Sequence, residues 1–136
     1  VIFTPSVITD LDQIREWIQS DEDHVNKMSA DWWLTGQDCL AAFCVGDDTG
    51  PTMYIRLDAE GELARIHIQF GPESEVSKVR TAKSLLKIFP CITTLMANSG
   101  FKGIVFESKS VKLIKFFDRL GFKHLKDNDY LLMLGG

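Results

Sequence analysis

The stretch SVKLIKFFDRLGF, residues 110–122, carries both ends of a helix in its own letters. Ser110 is an N-cap that can accept from the freed N–H groups of the first turn. Leu113, Phe116, Phe117 and Leu120 recur at i, i+3, i+4 and i+7, and Ile114 widens the apolar stripe. Lys112, Lys115 and Arg119 take the wet face, the last two suiting the negative C-terminal end. Gly121 supplies the left-handed residue that closes a helix, and Phe122 returns to the core. The apolar strand Gly103–Glu107 (GIVFE) comes just before this helix, and another apolar run follows it. A core-facing helix locked to a buried strand on each side makes the chain a layered α and β structure.

The remaining elements are read outward from this block. Residues 1–4 form a short strand ended by Pro5. Thr9 or Asp10 caps a first helix whose stripe is Leu11, Ile14, Trp17 and Ile18. After Ser20-Asp21-Glu22-Asp23, residues 24–33 read as a second helix with Val25, Met28 and Trp32 toward the core. Residues 39–45 are a near-continuous apolar strand. Residues 52–58 alternate, with Met53, Ile55 and Leu57 opposite Tyr54 and Arg56. Leu63–Phe70 alternates too, with Ile66, Ile68 and Phe70 opposite Arg65, His67 and Gln69. Short Gly- and Asp-rich connections make these three strands an antiparallel meander. A long helix follows over residues 75–97, bent or broken near Pro90. Leu85, Leu86, Ile88, Ile92, Leu95 and Met96 give it a broad buried face. After residues 110–122 come a strand at Lys123–Lys126, a turn at Asp127-Asn128-Asp129 and a strand over residues 130–134.

At 136 residues the chain suits one domain, residues 1–136, with a single substantial core. No apolar run approaches a membrane span, and no basic segment leads into an apolar one at the start, so a cytoplasmic protein is expected. Cys39, Cys44 and Cys91 lack any CxxC, and His24, His67 and His124 are scattered, so no metal site is expected. Buried, reduced thiols are the reading of these cysteines. The net charge of −4 hides a polarity. Residues 72–126 carry eleven Lys/Arg against four Asp/Glu, while the rest carries four against fifteen. Such a chain can hold an anion on one side and attract a cation on the other, although solvated helix faces would give the same count. Overall acidity without an aromatic–basic stripe excludes nucleic acid as a main partner.

The strand–loop–helix–Leu-Gly-Phe block resembles the C-terminal motif of the GNAT N-acetyltransferase family. There an Asn is followed three residues on by an Ala, then by a Leu-Tyr pair and a closing Leu-Gly-Phe. Here Ser110, Leu113 and Phe116-Phe117 occupy the first three places, and Leu120-Gly121-Phe122 matches outright. The element order, β-α-α-β-β-β-α-β-α-β-β, is also that of the family, as is an opening strand leading to an Asp-started helix, here Phe3 to Asp10. The resemblance implies an α+β fold with a mixed central sheet of about seven strands flanked by four helices.

It also implies a chemistry: acetyl transfer from acetyl-CoA to an amine. Such a site needs donors for the CoA pyrophosphate, an N–H for the carbonyl oxygen, a base for the amine and an acid for the thiolate. Phe70-Gly71-Pro72-Glu73 resembles the family's Val-x-Pro-Asp at the exit of the fourth strand. The family's phosphate loop, Gln/Arg-x-x-Gly-x-Gly/Ala, then falls on Ser77, Lys78, Val79, Arg80, Thr81 and Ala82. Only Ala82 satisfies that pattern, Arg80 stands in place of the central Gly, and two extra residues separate Pro72 from Ser77. Either Lys78, Arg80 and Lys83 replace backbone donors with charged ones, or the pocket is filled and the loop is a basic helix start. Ser110 and Phe117 complete the implied cofactor contacts, though Phe117 lacks the hydroxyl with which the family's Tyr protonates the thiolate. His67 and Glu62 are the candidate bases, with Glu107 a further carboxylate. The positions that share the parity of Phe70, among them Glu62, Ala64 and Ile66, face the acetyl group.

The leading expectation is therefore an N-acyltransferase, monomeric or homodimeric, acting on a cationic amine drawn by Asp21, Glu22, Asp23 and Asp31. The competing one is a catalytically inactive binding or structural protein on the same fold, since short GNAT-like chains with eroded loops occur among phage-encoded proteins.

Overall fold

The computed structural model of the chain describes residues 2–22, 24–25 and 29–135. A seven-stranded sheet has the order β1-β2-β3-β4-β5-β7-β6. Its strands are β1 (Ile2–Pro5), β2 (Cys39–Asp47), β3 (Gly50–Glu60), β4 (Leu63–Phe70), β5 (Gly103–Glu107), β6 (Lys123–Lys126) and β7 (Asp129–Met133). Every pairing is antiparallel except β4 with β5, which run parallel through the long helix between them. The helices are α1 (Leu11–Gln19), α2 (Lys78–Asn98) and α3 (Val111–Arg119), with short 3-10 turns at Ile8–Asp10 and Asp31–Leu34. The mixed sheet and the meander are as expected.

Among the described residues there are three α-helices rather than the four expected. Of the described residues of the expected second helix, Asp31–Leu34 winds as one 3-10 turn, and the N–H groups of His24 and Val25 turn back to the Asp21 carbonyl. Met28 lies outside the described residues. The tryptophans of this turn decide its form: Trp33 is buried, and Trp32 stacks under the Arg56 guanidinium at 4.0 Å. Arg56 in turn donates to the carbonyls of Trp32 and Thr35, groups that a continuing helix would have used for itself.

Helix α2 runs unbroken through Pro90. The proline lies on the exposed side, where the Leu86 carbonyl it leaves unbonded can meet water. Leu85, Ile88, Phe89, Ile92 and Met96 anchor both halves of the helix to the sheet. Leu86 and Leu95, expected in that face, are instead 52% and 46% exposed. The buried stripe follows Phe89, which continues the i, i+3, i+4 spacing from Leu85. The helix starts at Lys78 rather than Glu75, because Ser77 Oγ accepts from Arg80 N while Glu75 and Val76 N–H bond back to the Pro72 carbonyl.

Two layers pack on the sheet. On one face α2 and α3 cover Met53, Ile55, Leu57, Ala64, Ile66, Ile104 and Phe106. Phe117 of α3 sits fully buried there against Phe89, Phe106 and Phe122, as the apolar stripe of residues 110–122 requires. Gly121 has φ +107, closing α3 as its position predicts. On the other face α1 packs Ile14, Trp17 and Ile18 against Tyr54, Trp33 and Val76. Arg56 lies on this second face but is only 2% exposed, paired to Asp58 Oδ1 at 2.9 Å. The three cysteines are unpaired; Cys39 and Cys44 are half-buried, and Cys91 is exposed on α2, so burial holds for none of them fully.

Candidate active site

The site begins where β4 and β5 part. Their pairing covers only Leu63↔Gly103, Ala64↔Ile104 and Arg65↔Val105. Beyond this the strands are no longer paired, and Ser110 and Leu113 at the start of α3 line the space between them. A polarity follows for the β4 backbone. The Gly71 N–H donates to Thr52 on the β3 side, whereas the Glu62 carbonyl accepts from Lys102 N on the β5 side. The β3–β4 register has no bulge. Main-chain groups of odd-numbered residues therefore face β3; the last β4–β5 pair, Arg65↔Val105, uses the Ile66 N–H, and beyond it the groups of Ile68 and Phe70 face the gap with no strand to pair with.

The gap is a cavity of about 340 Å³. Ile66, Ile68, Phe70, Phe106, Leu113 and Phe117 make its apolar side, continuous with the core under α2 and α3. Asp21, His24, Arg65 and His67 make a polar side toward α1, and Glu107, Ser108, Lys109 and Ser110 form the rim. Ser110 caps α3 by accepting from Leu113 N, and Ser108 Oγ accepts from Ser110 N. The opening of α3 is thus ordered by two hydroxyls at the cavity edge.

Each polar group has a defined surrounding. Arg65 forms a two-pronged bond to Asp129 at 2.9 and 3.1 Å and also pairs with Glu60. This guanidinium holds the Asp129 carboxyl below its usual range. His67 Nε2 lies 3.1 Å from Asp58 Oδ2, and its ring meets Trp32 edge-on at 4.8 Å. Burial pushes the His67 imidazole below its ordinary value, against the opposing pull of the Asp58 carboxylate. His24 Nδ1 lies 2.7 Å from Gln69 Oε1 and 3.3 Å from Asp21 Oδ2.

Of the residues singled out in the sequence, His67, Phe70, Glu107, Ser110 and Phe117 line this cavity together. Glu62 does not. It sits at the closed end of the strand pair and bonds Lys102 at 3.1 Å. Ser77, Lys78, Val79, Arg80, Thr81 and Ala82 lie outside the lining, at the start of α2. Arg80 lies outside the cavity lining. Its guanidinium holds Asp47 at 2.7 and 2.8 Å and the Gly50 carbonyl at 3.3 Å, tying α2 to the β2–β3 turn. That pairing pushes the Asp47 carboxyl well below its usual range. The N–H groups of Lys78 and Val79 stay available at the positive end of α2, since Ser77 takes only that of Arg80. Lys78 pairs with Glu73 at 3.4 Å and comes within interacting range of Lys112 on the first turn of α3. Sequence reasoning missed His24, Arg65, Ser108 and Lys109. For His24 no local signal existed, because its partner Gln69 is 45 residues away.

The structure as a whole matches solved acetyltransferases, so the chain has the GNAT acyltransferase fold. It is similar over 99% of its length to 94% of the ribosomal-protein-S18-alanine N-acetyltransferase of Escherichia coli, at TM-score 0.74 and 14% identity. A GNAT family acetyltransferase of Brucella melitensis, solved with acetyl-CoA, matches over 99% of this chain and 88% of that one, at TM-score 0.67 and 14% identity. The PaiA N-acetyltransferase of Thermoplasma acidophilum, solved with coenzyme A, matches over 96% and 95%, at TM-score 0.65 and 17% identity. No protein-family model matches the sequence, and no curated protein matches it.

Proposed function

We propose that the chain is a divergent GNAT family member that transfers the acetyl group of acetyl-CoA to an amine. The observation that carries this reading is the gap between β4 and β5, where among the described residues the main-chain groups of Ile68 and the N–H of Phe70 have no strand to pair with, the Phe70 carbonyl being taken by Gln69 Nε2. An extended pantetheine arm carries amides that satisfy such groups as a strand would, and an N–H in that row suits a thioester carbonyl oxygen on which negative charge develops. The apolar side formed by Phe106, Leu113 and Phe117 suits the methylene chain. The N–H groups of Lys78 and Val79, with the ammonium groups of Lys78 and Lys112, suit the pyrophosphate. Bound there, acetyl-CoA supplies the activated acyl carbon. The amine enters from the α1 side, where Asp21 lines the cavity and Glu22 and Asp31 lie nearby in sequence, which favours a cationic acceptor.

Thermal melting with acetyl-CoA and with free CoA tests this. At about a hundredfold over Kd either ligand should add about 2.7 kcal/mol, a rise of about 9 °C for a chain of this size. A flat response to both would refute the reading. Phe117, which has no proton to give a thiolate, favours a second reading, a CoA-binding protein without turnover. A saturating shift with no thiol release for any amine supports that alternative.

A further inference from the structure

The tautomer of His24 can be read from its surroundings. Gln69 is fully buried, and three oxygens surround its Nε2: the Phe70 carbonyl at 3.0 Å, Asp21 Oδ2 at 3.1 Å and the Trp17 carbonyl at 3.4 Å. An amide oxygen in that place would face three acceptors, so the NH₂ group belongs there and Oε1 points away from them. Oε1 lies 2.7 Å from His24 Nδ1. An amide oxygen only accepts, so Nδ1 carries the proton and donates it, with Asp21 Oδ2 3.3 Å from the same nitrogen. The neutral ring has one N–H, which leaves Nε2 as a lone pair. Among the described residues Nε2 has no partner, and His24 lines the cavity.

We propose, on the acyltransferase reading given above, that His24 is the general base that deprotonates the acceptor amine, with Gln69 as its positioning residue. As the amine nitrogen bonds to the acyl carbon, His24 Nε2 takes one of its protons. The C–S bond breaks with its electron pair going to sulfur, and the thiolate takes a proton from solvent. The imidazolium then has both N–H groups charged, with Gln69 Oε1 and the Asp21 carboxylate facing Nδ1, and it returns its proton to water. His67, the other cavity histidine, is less suited. Its Nε2 is held at Asp58 beside Arg56, and burial disfavours its charged form. The amine meets His24 on the acidic α1 side, whereas the thioester wall faces α2 and α3.

Two measurements on the full chain decide the matter. Imidazole ¹⁵N NMR at pH 8, with the His24 signal assigned by its loss in His24→Gln, should show the Nδ1–H tautomer. An Nε2–H tautomer overturns the proposal without any assay of activity. In the second, CoA thiol release is followed with spermidine as the amine. His24→Gln should lower kcat by about 10²- to 10³-fold and leave KM for acetyl-CoA and the acetyl-CoA melting shift unchanged. The groups that also face this cavity, Asp21, Arg65, His67, Glu107 and Lys109, remain in place. His24→Ala should regain rate with added imidazole. A kcat within threefold of wild type, with the shift intact, overturns the role of His24 alone, as does a wild type that binds acetyl-CoA yet releases no thiol with spermidine. A wild type that shows no shift overturns the acyltransferase reading itself.

Discussion

Adding a hydroxyl at Phe117 probes the wall of the candidate site. Phe117→Tyr adds one oxygen at the para position of a ring with no exposed surface, packed 4.1 Å from the Phe106 centroid and 5.1 Å from that of Phe122. The same residue borders the cavity of about 340 Å³, roomy enough for the oxygen and a water. If the para edge faces that space, no phenyl contact is lost and stability should change by less than about 1 kcal/mol. Were it to face the phenylalanine cluster, an unsatisfied hydroxyl would cost about 1–3 kcal/mol. Truncation to Ala, which removes the ring altogether, should cost about 3–5 kcal/mol and serves as the scale. With the hydroxyl beside the departing sulfur, general-acid help should raise kcat by about 10²-fold, the low end of its usual range, with KM for acetyl-CoA unchanged. Melting temperature and the rate of thiol release measure the two effects separately. A fall of more than about 6 °C without any gain in rate would refute the placement of the ring edge. An unchanged melt with an unchanged rate would refute the position assigned to the thiolate.

Two further outcomes concern stability. At Gly71 a Cβ would stand 2.5 Å from Val76 Cγ2 and 3.2 Å from the Trp17 ring, so Gly71→Ala should cost about 1–3 kcal/mol in urea denaturation. Val76→Ala added to it should recover part of that loss, and strict additivity would count against the clash. His67 titrates below its ordinary value, so between that lowered value and about 6.5 the unfolded chain binds more protons than the folded one. Its contribution is therefore complete above about pH 6.5 and is lost as pH falls below it. The urea midpoint should drop from pH 7.5 to pH 5 in the wild type and drop less in His67→Gln, where equal slopes would exclude this origin. The groups facing His67 are Asp58, Arg56, Arg65 and Glu60, and their charges stay the same in that variant. The lowered carboxyls of Asp47 and Asp129 lose their contribution only below about pH 4, a separate window.

Much of the fold was legible because its signals are local. The cap at Ser110, the stripe ending in Phe117 and Leu120, and the closing Gly121 are backbone and burial requirements met within thirteen residues, and all three stand in the structure. The alternation of β4 sorted Ile66, Ile68 and Phe70 from Arg65, His67 and Gln69 before any neighbour was known, since successive side chains of a strand must point to opposite faces. Other features depended on partners distant in the chain. The stretch before β2 has the apolar spacing of a helix, but Arg56 takes the carbonyls of Trp32 and Thr35, where Asp31–Leu34 winds as a 3-10 turn. Arg80, expected from the sequence on a phosphate loop, was drawn to Asp47 across 33 residues. The tautomer of His24 is set by an amide 45 residues away, whose own orientation is set by Trp17, Asp21 and Phe70. The sequence by itself determined which segments wind, extend and bury, because those choices follow from propensity and period. The gap between β4 and β5, and which polar groups meet across it, were decided by the tertiary structure alone, since hydrogen bonds and ion pairs act over a few ångströms whatever the separation along the chain.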